Sequence, residues 1–295
     1  MRQTALDQAQ PKATRQNVGH IVPTLTERDF QRFRSFIHSL TGVSLSDAKQ
    51  TLVTNRLLRR LKHYGLASYD EYWNVLSGPN AAAEKEIFVD LLTTHETYFF
   101  REPRHFDFLS RMAKERSGSR APVRIWSAAC SSGEEAYSAA MILAEALGST
   151  SRYEFFASDV SEGVLAEARL GVYPLEAAEQ IPQALLKRYC ERGTGRMAGK
   201  LRVCDEIRSS IHFARLNLMD SWRFSKPFDV VLLRNVMIYF DGPTKTQLIQ
   251  RIREVLFPGG LLLVGHAESL TGASEGLVAL AQGVYRRVEK QRQGS

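Results

Sequence analysis

The residues able to do chemistry gather in four short stretches. The first is Ser127-Ala128-Ala129-Cys130-Ser131-Ser132-Gly133, leading directly into Glu134 and Glu135. Small side chains let a backbone approach a ligand closely, but this turn lacks both the G-x-G-x-x-G pattern and the lysine of a P-loop. Two glutamates at a helix start would repel a phosphate. They suit a cationic ligand, or they complement the positive end of the helix dipole. The second stretch ends in Ser158-Asp159-Val160, with Asp159 26 residues beyond Gly133. An acid placed there in an open α/β sheet holds ribose hydroxyls, or else it caps the helix that follows. The third is Arg234-Asn235-Val236-Met237-Ile238-Tyr239-Phe240, three polar groups after an apolar run, each needing hydrogen-bond partners. The fourth, Thr93-Thr94-His95-Glu96-Thr97-Tyr98-Phe99-Phe100-Arg101, joins polar residues to two phenylalanines and an arginine. No metal-ligand cluster surrounds His95 in the sequence, and no Ser-His-Asp arrangement is evident, so metal and hydrolase chemistry are set aside.

Elements must hold these stretches, and the hydrophobic pattern supplies them. From Pro122 onward, VRIWSA, YEFFASDV, FDVVLLRN and LLLVG read as apolar strands, with EEAYSAAMILAEAL, SEGVLAEARLG and PTKTQLIQRIREVL as the helices between them. That alternation predicts right-handed βαβ units and a mostly parallel sheet. Ligands of such sheets bind outside the carboxyl ends of the strands, where three of the four stretches fall. GLVAL and GVYRRV predict a closing strand pair. Residues 174–216 break the rhythm: a short helix in IPQALLKRYC, a glycine-rich turn in RGTGRMAGK, then LRVCDEI and SSIHFARLNL as half-buried strands. The expectation is a small antiparallel insertion.

Ahead of the sheet the period is helical. TLTERDFQRFRSFIHSLTGVSL offers Thr26 as N-cap, Phe30, Phe33, Ile37 and Leu40 at helical spacing, and Gly42 as a stop. A second helix over 47–64 places Val53, Leu57, Leu61 and Tyr64 on one stripe, with Arg56, Arg59, Arg60 and His63 opposite; two shorter helices follow. The expected organisation is a flexible extension over 1–23, an all-α domain over 24–92, a linker and linking helix over 93–120, and an α/β domain over 121–295 that carries the insertion at 174–216.

The 295 residues are 44% hydrophobic and 24% charged, ordinary for a soluble globular protein. A net charge of +7 invites thoughts of nucleic acid, yet the excess is not a basic tail: 24–100 is neutral, 121–185 acidic and 186–229 basic. Three cysteines, Cys130, Cys190 and Cys204, form no C-x-x-C pair and indicate a reducing compartment. No apolar run approaches the ~20 residues of a membrane span, and the N-terminus is too polar for a secretory signal. A cytoplasmic protein without membrane insertion is expected.

LLTTHETYFFRE, RIWSAACSSGEEAYSAAM, FFASDVS, VVLLRNVMIYF and GGLLLVGHAESL resemble, in that order, the CheR family of chemoreceptor glutamate methyltransferases. The similarity runs from about Leu25 to Val288. It implies a Rossmann-like class I methyltransferase sheet, S-adenosylmethionine as cofactor, and glutamate side chains on the cytoplasmic helices of chemoreceptors as substrate. The products are glutamyl methyl esters and S-adenosylhomocysteine. By the same resemblance Glu135 holds the cofactor near its amino-acid end and Asp159 its ribose, with Thr97, Arg101, Asn217, Leu218, Arg234 and Asn235 as further cofactor contacts. His95 stands where the family often has Asn, and a neutral imidazole still offers one hydrogen bond there.

A glutamate carboxylate, of ordinary pKa ~4.3, is already nucleophilic at neutral pH, so no general base is needed. Arg101 and Tyr239 are the candidates to orient it. An acidic receptor bundle gives the basic residues Arg56, Arg59, Arg60 and His63 a reading as substrate-binding groups. Gly193, Gly195 and Gly199 lie in a loop similar to the one through which some family members tether a pentapeptide at the receptor's C-terminus, by strand addition. No nucleic-acid partner is expected, and a monomer is the simplest oligomeric state. Two rivals are a methyltransferase acting on RNA or a small molecule, and a non-catalytic adaptor that senses S-adenosylmethionine.

Overall fold

In a computed structural model, the described residues are 23–270, 272 and 274–288. The extension expected over 1–23 therefore lies almost wholly outside them.

Four helices open the described residues. α1 (Glu27–Thr41) starts at Thr26, whose side chain accepts from the Asp29 N–H, and stops at Gly42 in the left-handed region, with Phe30, Phe33 and Ile37 buried. α2 (Gln50–Tyr64) follows a single 3-10 turn over 47–49, and turns Val53, Leu57 and Leu61 inward. α3 (Tyr69–Ser77) and α4 (Ala82–Leu92) complete the layer. Tyr64 leaves the expected apolar stripe; it is exposed, and its hydroxyl donates to Glu84. Thr93 to Glu102 form no helix, and α5 (Arg104–Arg116) leads to the sheet.

The sheet region runs β1 (Val123–Ser127), α6 (Glu134–Leu147), β2 (Tyr153–Asp159), α7 (Glu162–Leu170), β3 (Val172–Pro174), α8 (Gln183–Tyr189), β4 (Cys190–Arg192), β5 (Lys200–Val203), α9 (Asp205–Ser209), β6 (Ile211–Arg215), β7 (Phe228–Leu233), α10 (Gly242–Val255), β8 (Leu256–Val264), β9 (Leu277–Ala281) and β10 (Val284–Arg287). Seven strands form the main sheet in the order β6-β2-β1-β7-β8-β10-β9. The pairings from β6 through β8 are parallel, and β10 pairs antiparallel with both β8 and β9, the closing pair the sequence predicts. Strand order reverses at β1, so the crevice between β1 and β7 is the switch point where such sheets bind ligands.

The insertion expected at 174–216 has different bounds. Its three-stranded antiparallel sheet, β3-β5-β4, spans 172–203. Residues 211–215, expected as its last strand, are β6, paired parallel with β2 from Phe155↔Ile211 to Asp159↔Arg215. Alternation alone cannot tell an antiparallel edge from a parallel one, because both bury every second residue. Asp205–Ser209, expected as the end of a strand, is a short helix.

Two apolar clusters flank the main sheet. One packs α5, α6 and α7 on one face. The other joins Phe30, Phe33, Val53 and Leu57 of the helical layer to Trp126, Val231, Leu233 and Leu248 through Val43, Leu218, Met237 and Phe240. The helical layer thus shares its core with one face of the sheet.

Candidate active site

A cavity of about 450 Å³ opens over the carboxyl ends of β1, β2 and β7. Its walls include His95, Thr97, Arg101, Glu135, Asp159, Asn217, Leu218, Arg234, Asn235 and Tyr239. Every residue carried over as a cofactor contact or orienting group therefore borders one space. The helical layer closes it through Thr41, Ser44, Ser46 and Lys49, which the sequence reading does not single out.

The small-residue turn after β1 behaves as its composition suggests. Ser131 takes a positive φ of 49°, and its N–H donates to Asp159 Oδ2 at 2.9 Å. Asp159 Oδ1 accepts from the Ser161 N–H at 3.1 Å. The cap of α7 is Ser161 itself, whose Oγ accepts from the Val164 N–H. Asp159 is thus positioned by two backbone donors beside the cavity and does not cap the helix.

Glu135 is buried, and its two oxygens have separate partners. Oε1 accepts from Ser127 Oγ at 2.8 Å and Oε2 from Arg234 Nη1 at 3.0 Å. Burial pushes its carboxyl up, and the Arg234 guanidinium pulls against that. Arg234 is also buried; it pairs with Glu102 Oε2 at 3.2 Å and donates to the Arg101 carbonyl. Losing one member of such a buried pair costs about 3–5 kcal/mol. Glu134 points elsewhere, toward Ser132 Oγ at 2.8 Å, and burial raises its carboxyl too.

Several committed side chains narrow what the carried-over residues can offer. Asn217 is held by its Nδ2, which donates to the Leu40 carbonyl at 2.6 Å, and its Oδ1, which accepts from the Met219 N–H. Asn235, at φ 56°, spends Nδ2 on Glu102 Oε1 and its N–H on Glu268 Oε2. Gly265 allows this approach, because a Cβ there would lie 2.5 Å from Asn235 Nδ2.

Arg101 is half-buried, with Nη1 donating to the Glu96 carbonyl at 3.0 Å and the guanidinium 5.6 Å from the Tyr98 ring centroid. The half-buried Tyr239 is fixed through its carbonyl, which accepts from the Ser44 N–H at 2.8 Å, beside the bridge between Val43 and Phe240.

The sequence reading misses two glutamates. Glu102 accepts from Arg234, Asn235 and the His266 N–H; these hold its carboxyl below the ordinary range although burial alone would raise it. Glu268 accepts from the N–H groups of Asn235, Ile238 and Gly265, and burial raises its carboxyl. Together they bracket the loop after β7. Their only sequence signal is position, in FFRE and GHAESL. Glu102, His105 and His266 also place their ligand atoms within 4.8 Å of one another, a cluster the sequence reading does not foresee, though Arg234 and Asn235 already use the Glu102 oxygens.

The basic face of α2 divides. Arg56 Nη1 donates to the carbonyls of Leu91 and Thr93, and Arg60 forms a two-pronged pair with buried Glu84 at 2.8 and 2.6 Å. Both are tied into the helical layer by these bonds. Arg59 and His63 stay exposed. Gly193, Gly195 and Gly199 lie between β4 and β5, outside the walls of the cavity. Gly193 admits no side chain, since a Cβ would fall 2.0 Å from the Met197 carbonyl.

The seven-stranded sheet is parallel from β6 through β8, reverses at β1 and is closed by antiparallel β10 and β9. With an acid at the end of β2 and a buried acid opening α6, it has the form of a class I methyltransferase that binds S-adenosylmethionine. The residues present fit that molecule: Asp159 offers carboxylate oxygens toward hydroxyls, and Glu135 supplies negative charge toward an ammonium or sulfonium. Family models match most of the chain: "CheR methyltransferase, SAM binding domain" over 95–284 and "CheR methyltransferase, all-alpha domain" over 28–93. The chain belongs to the CheR methyltransferase family. It is 45% identical over 262 residues to chemotaxis protein methyltransferase 2 of Pseudomonas aeruginosa, covering 88% of this chain and 93% of that one. It is 40% identical over 263 residues to the chemotaxis protein methyltransferase of Escherichia coli, covering 88% and 91%. Among solved structures, the N-methyltransferase NodS of Bradyrhizobium japonicum matches 64% of this chain and 97% of its own, at 16% identity and a TM-score of 0.36.

Proposed function

We propose that this protein transfers methyl groups to glutamate side-chain carboxylates on the cytoplasmic helices of chemoreceptors, forming methyl esters in chemotactic adaptation. The observation that carries this reading is the convergence of Arg101 and Tyr239 on the cavity that Glu135 and Asp159 also border. When bound, S-adenosylmethionine supplies an electrophilic methyl group on a positively charged sulfur. Asp159 would hold its ribose hydroxyls, and Glu135, itself oriented by Ser127 and Arg234, its amino-acid end.

The acceptor carboxylate needs no base, being ionised at neutral pH. Arg101 attracts and orients it, and its tie to the Glu96 carbonyl and the Tyr98 face fixes the guanidinium's direction. Tyr239 supplies a hydroxyl on the same wall. The helical layer walls one side of the cavity, and a carboxylate stripped of water on entering it is a stronger nucleophile. Esterification removes the negative charge, so Arg101 holds product less tightly than substrate.

Receptor docking falls to the exposed Arg59 and His63 of α2. Strand β4 stands at the edge of the small sheet, open to addition of a receptor-tail strand. Among the described residues no helix is long and apolar enough to cross a membrane. The test is transfer of labelled methyl from S-adenosylmethionine to receptor-containing membranes. Label released as methanol by mild base is the expected result; base-stable label would assign a different acceptor.

A further inference from the structure

A second cavity, of about 440 Å³, opens at the other edge of the main sheet, where β7 and β8 begin. It shares no lining residue with the cavity over the carboxyl ends. β8 enters the sheet through a bulge. Phe228 pairs with Leu256 and Val230 with Leu261, so residues 257–260 stand opposite Asp229 alone. Gly259 takes a positive φ of 82°, and a Cβ on Gly260 would fall 2.8 Å from the Phe257 carbonyl oxygen. The bulge leaves Phe257 exposed at the cavity wall, with the Arg116 guanidinium 5.6 Å from its ring centroid. Arg116 is anchored in turn on Asp229. A second pair of this kind lines the cavity from α5, where the Arg111 guanidinium sits 4.3 Å from the Phe108 ring centroid. Aromatic rings and arginines are the residue types enriched at the cores of protein interfaces.

The cavity runs onto an open strand. β9 ends the sheet order, and among the described residues no strand pairs with its outer edge. Leu277-Val278-Ala279-Leu280-Ala281 contains no charge and no proline, the devices that ordinarily guard an edge. Val278 is 50% exposed and lies opposite Arg286 of β10. Leu280 and Arg286 line the cavity, so edge and cavity form one surface.

Charge selects what can cover it. With Arg116 paired to Asp229, the wall presents Arg111 and Arg286 against Glu115. Residues 1–22 carry three Lys and Arg against one Asp, and residues 289–295 carry two against one Glu, so neither segment suits these arginines. A second copy would bring the same arginines face to face.

We infer that this surface docks an acidic segment of a partner protein, which adds as a strand along β9, seats an apolar side chain in the cavity and sets its carboxylates against Arg111 and Arg286. Main-chain bonds along the edge supply affinity, and the cavity and its arginines supply selectivity. The cofactor cavity stays open, so the partner positions the enzyme and is not its substrate.

Fluorescence anisotropy with the full chain tests this, using a labelled peptide that alternates Glu with Val and carries one central Phe. Saturable binding is expected, weakened at least ~10-fold by Val278→Lys, which guards the edge, and by Arg286→Glu, which reverses the charge. The same peptide with Lys in place of Glu should not bind. Both positions are exposed and lie outside the cofactor cavity, so methyl transfer and melting should match wild type. β4 offers another open edge, so binding that both variants leave unchanged would place the peptide elsewhere and overturn the assignment. No binding at millimolar peptide would overturn it too. Displacement by a synthetic peptide of residues 1–22 would make that segment the occupant instead. A dimer in sedimentation that Val278→Lys dissolves would make it a second copy, and displacement by a single-stranded oligonucleotide would make it nucleic acid.

Discussion

At the scale of single residues, polar groups here are legible by kind and only partly by partner. Glu135 and Asp159 stand out because an acid at the end of a strand is conspicuous in any α/β pattern. Glu268 does not, because what it binds is backbone N–H. Glu102 does not, because its partners Arg234, Asn235 and the His266 N–H lie more than 130 residues away in the chain. Arg101 is the sharpest mechanistic claim: Arg101→Ala should lower methyl transfer ~10²-fold, since a misplaced nucleophile forfeits most of the gain from orientation. Single-turnover rates at saturating cofactor measure it, and near-normal turnover would remove Arg101 from the mechanism. His105 makes a separate prediction. It is 1% exposed, with both ring nitrogens lacking a hydrogen-bond partner, and burial pushes its pKa down to about 4. The unfolded chain protonates it near ~6.5, so the unfolded state binds the proton first as pH drops. Stability is therefore lost as pH falls from about 6.5 toward 4, by on the order of 2 kcal/mol from this residue. Denaturant unfolding at pH 7 and pH 4.5 should show a smaller acid loss in His105→Leu than in wild type; an equal loss would assign the effect to other groups.

At the scale of elements, helices with buried stripes and strands with continuous apolar runs are readable, and elements defined by a partner are not. α2 is the clearest case. Its inward Val53, Leu57 and Leu61 follow from spacing alone, but nothing in the helix says that Arg60 finds Glu84, 24 residues further on. Glu84 also receives the hydroxyls of Tyr64 and Tyr72, so one buried carboxylate gathers α2 and α3 onto α4. β6 failed for a related reason, because its alternating pattern does not say which sheet it joins. The divided basic face gives a paired prediction. Arg60→Ala strands the buried Glu84 charge and should cost about 3 kcal/mol of stability. Arg59→Glu sits on the exposed side and should leave melting within about 0.5 kcal/mol of wild type while raising the KM for receptor several-fold. Thermal unfolding and initial rates against receptor concentration separate the two. If Arg59→Glu methylates receptor with unchanged KM, receptor docking does not use this face.

At the scale of the whole molecule, the charge is unevenly placed: the acidic segment 121–185 carries Glu135 and Asp159, and the basic segment 186–229 follows it. What the sequence could not show is how the helical layer meets the sheet. The joint is built from Val43 bridging Phe240, Ser44 donating to Tyr239, Asn217 holding the Leu40 carbonyl, His38 beside Asp241 at 3.2 Å, and Arg215 paired with Glu86. These contacts put Ser44, Ser46 and Lys49 into the same cavity wall as Glu135 and Asp159. A ligand filling that cavity should stabilise both regions at once. S-adenosylhomocysteine at 100 times its Kd adds about 2.7 kcal/mol to the folded state. For a chain of this size that is a rise of roughly 4 °C in Tm. Local opening samples the same coupling, so amide hydrogen exchange should slow on binding in residues 42–49 as well as 128–135. Slowing confined to 128–135 would mean that the helical layer only borders the cofactor space, and that its service to the receptor is independent of cofactor binding. Joint slowing would mean that the loop carrying Ser44 and the loop carrying Tyr239 tighten together, so that cofactor binding sets the wall against which the acceptor carboxylate is oriented.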